Sequence, residues 1–337
     1  MSPTRILIAA AMLLAANAAG AEVRILPQDS GVEVRLRGIS AVSDDVAWAS
    51  GREGTVLRTV DGGKHWQVIK VPDADELDFR DVEGFDADTA VVLSIGPGEA
   101  SRVYRTEDGG RSWQLALQNK DPRAFLDCMT FDDDQGWMMG DPVEGRFQIY
   151  GSNDAGRNWR LLPDGPKADQ DEAAFAASGT CIAAGEGKLA VITGGSRARA
   201  HVANRSGAPW LATNAAGLSA APSRGYFSAT AFGSGARMLL VGGDYEHVEQ
   251  AGIAALLEPE DSSGLRLVEL PAPRAYRSGA GCNGGFCVVV GPAGVDSWNG
   301  KVWQALSDIS YDAVDLSGNV GWASGDGGRI ARIEVSE

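Results

Sequence analysis

Arginine and aspartate side chains are the residues of this chain best suited to ligand chemistry. Eight residues near the ends of apolar segments form the candidate binding site: Arg80, Asp81, Asp127, Asp141, Arg146, Asp244, Tyr245 and Arg277. A guanidinium group grips carboxylate or phosphate through two parallel hydrogen bonds. Two carboxylates at a suitable separation can instead hydrolyse a glycosidic bond. The sequence therefore allows an anion-binding site or a glycosidase site, and its spacing assigns no catalytic residue.

Metal, redox and nucleotide chemistry find no motif in the sequence. Its three histidines and four cysteines show neither a CxxC pair nor another zinc-ligand spacing. It also contains no glycine-rich dinucleotide loop between a strand and a helix. We therefore predict that the protein uses no metal and no cofactor.

A repeated motif divides the first half of the chain. Segments 59–66, 106–113 and 152–159 read TVDGGKHW, TEDGGRSW and SNDAGRNW, which share the pattern Ser/Thr-x-Asp-x-Gly-x-x-Trp. In such a turn the aspartate accepts backbone hydrogen bonds, the glycine supplies a positive φ, and the tryptophan packs between sheets. We therefore assign structural roles to Asp61, Trp66, Asp108, Trp113, Asp154 and Trp159.

Seven short alternating segments begin with an aromatic residue or leucine. They start at Leu36, Phe79, Phe125, Phe175, Phe227, Tyr276 and Tyr311. Units of four strands, repeated at the spacing of these seven starts, are the signature of a β-propeller. The sequence predicts an all-β fold, a seven-bladed β-propeller formed by residues 22–337 as a single domain. The last unit stops after its third strand, so segment 23–26 or 32–36 is predicted to supply the outer strand and close the ring.

Strand direction assigns the candidate residues to one face. With strands a to d running from channel to rim, the d–a and b–c connections share a face, called here the top face. The repeated motif forms c–d turns on the opposite face. Two interpretations of the charged top face stay open: arginines and aspartates paired in a solvated channel, or a pocket that recognises an anion. We favour the pocket, because Asp244 and Tyr245 place a carboxylate and an aromatic ring where glycine would suffice.

The repeated motif resembles the BNR/Asp-box repeats of sialidases, sortilin-type domains and photosystem II assembly/stability-factor propellers. Further segments resemble a bacterial branch related to those assembly factors, often labelled glycosyl hydrolase or oxidoreductase: LDFRD at 77–81, SRVYRT at 101–106, GDP at 140–142, GGDY at 242–245 and YRS at 276–278. The resemblance implies the propeller fold over nearly all of segment 22–337. Segment 23–27, VRILP, departs from the Phe/Tyr-Arg-Ile-Pro phrase of sialidases, so sialidase chemistry is not expected.

The N-terminus predicts export. Arg5, the apolar run 6–16 and the small-x-small pattern at 19–21 form a signal peptide over residues 1–21, with a mature chain starting at Glu22. The run is too short to span a membrane, which takes about 20 residues. We therefore expect a periplasmic or secreted protein with no membrane span. The net charge of −15 argues against nucleic acid as a partner.

The four cysteines receive different predictions. Cys282 and Cys287 flank the segment NGGF, and a two-residue hairpin turn at its glycines would let them form a disulfide. Cys128 and Cys181 fall in separate apolar strands and are expected to be buried free thiols.

These observations favour a binding or assembly module over an enzyme. The expected protein is a monomer whose top face binds a protein partner or an anionic or glycan ligand. The alternative is a glycosidase-like hydrolase acting on an anionic or glycan substrate. A third possibility is a structural propeller without a small-molecule site.

Overall fold

A computed structural model describes residues 22–214, 220–234, 236–260 and 264–336. The predicted signal peptide, residues 1–21, lies outside the described residues. Within the described ranges the regular structure is β-strand apart from one short 3-10 helix, Gly98–Ala100. No helix in these ranges is long and apolar enough to cross a membrane.

The strands form seven antiparallel sheets arranged as blades. The first strand, β1 (Glu22–Gln28), belongs to the last blade. Blade 1 consists of β2 (Leu36–Ala41), β3 (Ala47–Gly51), β4 (Thr55–Thr59) and β5 (Gln67–Lys70). Blade 2 consists of β6 (Asp78–Gly84), β7 (Ala90–Ile95), β8 (Arg102–Thr106) and β9 (Gln114–Gln118). Blade 3 consists of β10 (Leu126–Asp132), β11 (Gln135–Val143), β12 (Arg146–Ser152) and β13 (Arg160–Leu161).

Two short strands interrupt the regular order in the middle of the chain. They are β14 (Glu172–Ala173), which precedes blade 4, and β17 (Gly194–Gly195), which lies within its sequence. Blade 4 itself consists of β15 (Ile182–Gly185), β16 (Lys188–Ile192), β18 (Arg199–Asn204) and β19 (Leu211–Asn214). Blade 5 consists of β20 (Ala221–Ala231), β21 (Met238–Asp244), β22 (Ile253–Glu260) and β23 (Gly264–Glu269). Strands β14 and β17 extend blade 5 on its inner side.

The last two blades complete the ring. Blade 6 consists of β24 (Gly279–Asn283), β25 (Phe286–Gly291), β26 (Gly294–Trp298) and β27 (Trp303–Ser307). Blade 7 consists of β28 (Ala313–Ser317), β29 (Val320–Ser324), β30 (Ile330–Ser336) and β1. Strand β1 pairs with β30 from Glu22 opposite Ser336 to Gln28 opposite Ile330. This confirms the seven-bladed fold and its closure by the N-terminal strand.

Two predicted blade starts are wrong. Phe227 lies inside the inner strand of blade 5, which begins at Ala221. Phe175 does not open the inner strand of blade 4, which begins at Ile182. Phe175 instead stacks on Phe227, with ring centroids 4.2 Å apart and planes 7° from parallel. The aromatic residue is there because the chain crosses the channel before it enters blade 4.

Adjacent blades are joined by side chains of the innermost strands as well as by apolar contacts. The apolar cluster between blades 1 and 2, for example, includes Trp48 and Phe79. Near the channel, Asp81 Oδ2 accepts a hydrogen bond from the Met129 N–H at 2.7 Å. Asp315 Oδ2 accepts one from the Ala41 N–H at 2.8 Å. Aspartate side chains therefore connect blade 2 to blade 3 and blade 7 to blade 1.

Two disulfides are present. Cys282 and Cys287 face each other across the β24–β25 hairpin with Cα atoms 4.0 Å apart. The expectation of free thiols at Cys128 and Cys181 is wrong: they form a disulfide with Cα atoms 5.8 Å apart. Cys128 lies on the innermost strand of blade 3 and Cys181 directly precedes that of blade 4, and these two strands lie side by side around the channel.

The three copies of the repeated motif form similar turns between strands c and d. Asp61, Asp108 and Asp154 each accept a hydrogen bond through Oδ1 from the backbone N–H four residues later, at 2.9 to 3.0 Å. Each Oδ1 also accepts one from the preceding Ser or Thr hydroxyl. Gly63 and Gly110 adopt φ near +80° in these turns. Each aspartate therefore hydrogen-bonds within its own turn, away from the top face, and its structural role stays a prediction.

Candidate functional site

A cavity of about 520 Å³ lies at the top mouth of the channel, and we call it the mouth cavity. Its wall combines cationic, acidic and aromatic side chains. The charged and aromatic residues that line it are Arg35, Arg37, Arg80, Asp127, Asp141, Asp312, Phe125, Phe175, Phe227, Tyr245 and Tyr276. They come from blades around the ring and from their top-face connections, so only the closed propeller brings them together.

β-bulges aim several of these side chains at the mouth cavity. Four innermost strands skip one residue in their pairing register, and the skipped residues are Arg37, Arg80, Asp127 and Phe227. All four line the cavity. A bulge leaves one residue outside the ladder and turns its side chain away from the regular alternation. The same local irregularity, repeated in four blades, therefore builds the cavity wall.

Residues 174–180, called here the crossing segment, close the channel beneath the cavity. Arg37 Nη2 of blade 1 donates a hydrogen bond to the Ala177 carbonyl at 2.9 Å. Arg80 Nη1 of blade 2 donates to the Ala176 carbonyl. On another side of the ring, Ser178 Oγ donates to the carbonyl of Ser278 at 2.7 Å. The segment is thus held by blades 1, 2 and 6.

A second cavity, of about 210 Å³, lies on the other side of the crossing segment. Asp81, Glu83 and Asp315 line this lower cavity. Burial raises the pKa of all three carboxyl groups, and the pKa of Asp315 reaches about 6. The crossing segment therefore separates an acidic channel interior from the mixed mouth cavity.

The three arginines of the mouth cavity differ in their partners. Arg35 forms two hydrogen bonds with Asp312, at 2.7 and 2.8 Å. Arg80 Nε lies 3.0 Å from Asp78 Oδ2. Arg37 lies 3.9 Å from Asp312, and its buried Nε has no hydrogen-bond partner among the described residues. Burial and the charge of Arg80 lower the pKa of Arg37 to about 10, so this guanidinium is still cationic at neutral pH.

Two carboxyl groups form an acidic part of the same wall. Asp141 Oδ1 accepts a hydrogen bond from the Ala174 N–H at 3.0 Å. Asp127 is 2% exposed, and its Oδ2 is unpartnered within the described part of the chain. Burial raises the pKa of both groups, and the nearby charge of Asp141 adds to the increase at Asp127.

Of the eight candidate residues, the structure brings four to the mouth cavity. These are Arg80, Asp127, Asp141 and Tyr245. Tyr245 is 46% exposed at the rim, where its ring meets those of Phe175 and Phe227 edge to face.

The other four candidates lie elsewhere. Asp81 is in the lower cavity, and Arg146 lines a separate cavity between blades 3 and 4. Asp244 is paired with Arg224 and His247, at 2.9 and 3.0 Å. Arg277 is buried against Asp296.

Sequence reasoning omitted several cavity residues from the candidate site. They are Arg35, Arg37, Asp312, Phe125, Phe175, Phe227 and Tyr276. Their signal was present, because most of them occupy or adjoin the strand starts that define the repeats. The aromatic strand starts received a role in marking the blades only.

Within the described ranges, no group of three or more His, Cys, Asp and Glu side chains is placed to hold a metal ion. The side chains of the mouth cavity can form hydrogen bonds and ion pairs and offer aromatic rings for contact.

Comparison with known proteins adds information on the fold. No protein-family model and no curated protein matches the sequence. A structure of YCF48 bound to D1 peptide is 16% identical, with a TM-score of 0.62 over 94% of this chain and 97% of that chain. YCF48 from Cyanidioschyzon merolae is 15% identical, with a TM-score of 0.59 over 92% of this chain and 98% of that chain.

An enzyme of the same architecture is also similar. The catalytically inactive virginiamycin B lyase from Staphylococcus aureus with quinupristin is 12% identical, with a TM-score of 0.66 over 93% of this chain and 99% of that chain. At such low identities these similarities establish the shared β-propeller fold. Function has to be argued from the residues of this chain.

Proposed function

We propose that this protein is an exported binding module that captures a segment of a partner protein at the mouth cavity. One observation carries the proposal: the guanidinium groups of Arg37 and Arg80 lie in the same wall as the rings of Phe175, Phe227 and Tyr245. Guanidinium groups bind carbonyl and carboxylate oxygens, while aromatic rings bind apolar side chains. A peptide segment offers both kinds of group.

The size and exposure of the cavity support this function. Its volume of about 520 Å³ falls within the usual range of ligand pockets, about 300–1,000 Å³. Tyr245 places a half-exposed aromatic ring at the rim. Aromatic residues and arginine are enriched at protein interfaces, so the rim and the wall have a composition that suits a protein partner.

Similar proteins support the same kind of partner. The YCF48 structure contains a D1 peptide, so a protein of this fold binds a peptide. The sequence resemblance to assembly-factor propellers with Asp-box repeats points the same way. The signal-peptide pattern supports a periplasmic or secreted location, and two disulfides suit such an oxidising compartment. We accordingly propose a monomeric assembly module outside the cytoplasm.

A peptide-selection experiment tests the proposal. Random-sequence synthetic decapeptides, one pool with free ends and one acetylated and amidated, are selected on the immobilised protein. Arg80→Ala should weaken the selected peptides by about tenfold, as expected for losing a hydrogen bond from a charged group. Arg332→Ala is the matched control, because Arg332 is also 17% exposed and ion-paired but lies on β30 of blade 7. Failure to select any peptide, or equal effects of the two variants, would refute peptide binding at this cavity.

Glycoside hydrolysis is the second candidate, favoured by the two carboxyl groups of Asp127 and Asp141 in one wall. A carboxyl with a raised pKa can act as a general acid. However, hydrolysis also needs an ionised partner, and burial raises the pKa of both groups. Release of a fluorophore from glycosides, abolished by Asp127→Asn, would establish this activity in place of simple binding.

A further inference from the structure

The residues that form the wall of the mouth cavity include one hydrogen-bond donor and one acceptor that have no partner among the described residues. Arg37 Nε is a donor, and Asp127 Oδ2 is an acceptor; both are buried without a hydrogen-bond partner within the described ranges. The Arg37 side chain is 8% exposed and Asp127 is 2% exposed. Buried polar groups are normally paired, so an unpaired donor and acceptor at one cavity point to a ligand that supplies one of each.

The crossing segment shows what the neighbouring atoms of this wall already bind. Arg37 Nη2 donates to the Ala177 carbonyl, and Asp141 Oδ1 accepts from the Ala174 N–H. Guanidinium groups therefore pair with main-chain carbonyls here, and a carboxylate pairs with a main-chain N–H. The same wall recognises peptide backbone when that backbone comes from its own chain.

We propose that the mouth cavity recognises the main chain of an extended peptide, with a carbonyl accepting from Arg37 and an N–H donating to Asp127. The incoming peptide lies beside the crossing segment and forms the same two kinds of hydrogen bond with the cavity wall, a carbonyl to an arginine and an N–H to an aspartate. An apolar side chain of the peptide contacts the ring of Tyr245 at the rim. This inference rests on the proposed function and adds to it that the protein recognises the main chain of its partner.

Main-chain recognition differs from recognition of a terminal carboxylate. A C-terminal carboxylate offers two acceptors and no N–H donor, so it would leave the Asp127 Oδ2 acceptor without a partner. A peptide unit within a chain offers a carbonyl and an N–H together. Capping both ends of the peptide should therefore leave its affinity within about twofold, whereas removing one internal N–H should weaken it markedly.

The test uses the tightest end-capped decapeptide from the selection and its single-position N-methyl and ester analogues. At one internal position both analogues should bind about tenfold more weakly, because both lack the N–H that donates to Asp127 Oδ2. Asp127→Leu should bind the parent peptide about as weakly and should no longer distinguish it from the N-methyl analogue at that position. Asp127→Asn, which keeps an acceptor oxygen, should retain most of the affinity, and thermal melts should show that both variants are folded.

The outcomes separate this inference from the function on which it rests. If only peptides with a free carboxylate are selected, peptide binding stands and main-chain recognition is overturned. Main-chain recognition is also overturned if every N-methyl analogue binds like the parent, or if Asp127→Leu still distinguishes the analogues. If neither pool yields a binder, both proposals fail.

Discussion

Arg277, just before the first strand of blade 6, forms a buried ion pair with Asp296 on β26 of the same blade. Arg277 Nε lies 3.1 Å from Asp296 Oδ2, and the two side chains are 0% and 2% exposed. Arg274 Nε approaches the other carboxylate oxygen of Asp296 at 2.9 Å. A buried carboxylate is costly unless it is paired. The position therefore gives Arg277 a stabilising role next to β26 and directs its charge away from the mouth cavity.

Arg277→Ala should lower the free energy of unfolding by about 3 kcal/mol, the lower end of the range for breaking a buried pair. The lower value is expected because Arg274 still neutralises part of the Asp296 charge. Urea denaturation measures the change, and peptide affinity of the folded variant should equal that of wild type. Asp308→Ala is the control, since its carboxylate binds Arg274 at the surface and is 90% exposed. Unchanged stability with lost peptide binding would instead make Arg277 a ligand-binding residue.

Asp108→Ala should lower the melting temperature without changing peptide binding. Its carboxylate accepts hydrogen bonds from the Ser112 N–H and hydroxyl and from Thr106, all within one exposed turn. Asp108→Asn keeps the Oδ1 acceptor and should lose less stability than the alanine variant. Thermal melts with parallel binding assays make the comparison. A wild-type melting temperature combined with lost binding would contradict the structural role of the turn.

The fold could be predicted from the sequence because local signals repeat with the blades. The tryptophan motif and the aromatic strand starts recur at the blade period, and the missing strand of the last blade required the N-terminal segment. The same signal failed at Phe175, where an aromatic ring supports the crossing segment. The sequence pattern indicates that an aromatic residue packs inside the protein. It does not indicate whether that residue belongs to a strand or to an irregular segment.

The site was only partly predictable because the bulges change which way side chains point. Strand alternation sends Arg80 and Asp81 to opposite sides, and the bulge at Arg80 decides which of them reaches the mouth cavity. Arg277 occupies a similar place before the inner strand of blade 6, yet its partner is Asp296 on β26. That pairing depends on which residue of a neighbouring strand lies opposite, and strand order alone does not fix it.

The two disulfides should contribute unequally to stability. The Cys128–Cys181 bond joins residues 53 positions apart, whereas Cys282 and Cys287 are 5 apart. Closing a longer loop removes more entropy from the unfolded chain, which predicts a loss of about 4 kcal/mol for Cys128→Ala/Cys181→Ala and about 2 kcal/mol for Cys282→Ala/Cys287→Ala. Chemical denaturation of the two double variants gives the comparison. Equal losses, or a larger loss for the short hairpin, would contradict the loop-length argument.

The contribution of Asp315 to stability should fall as pH rises from about 4 to about 6. Burial in the lower cavity raises the pKa of Asp315 to about 6, whereas an unfolded aspartate titrates near 4. Between these values the unfolded chain has lost the proton and the folded protein still holds it, so rising pH favours unfolding. The group should contribute a loss of about 2 kcal/mol, reduced from the full shift because the cavity is large enough to admit water.

Asp315→Asn should remove this contribution from the stability profile between pH 4 and pH 6, because the amide does not titrate and keeps an acceptor for the Ala41 N–H. Asp81, Glu83, Asp127 and Asp141 contribute with the same sign, because burial also raises their pKa values. Glu172→Gln is the opposite control. Burial raises the pKa of Glu172, but hydrogen bonds from His201, Arg199 and Thr193 outweigh it and lower the pKa to about 2. That group stabilises the fold above its unfolded pKa and loses its contribution as pH falls toward about 2. Urea unfolding of wild type, Asp315→Asn and Glu172→Gln between pH 3 and pH 7 should thus distinguish the contribution that falls with rising pH from the one that increases. An Asp315→Asn profile parallel to wild type would show that the Asp315 carboxyl is ionised in the folded channel throughout.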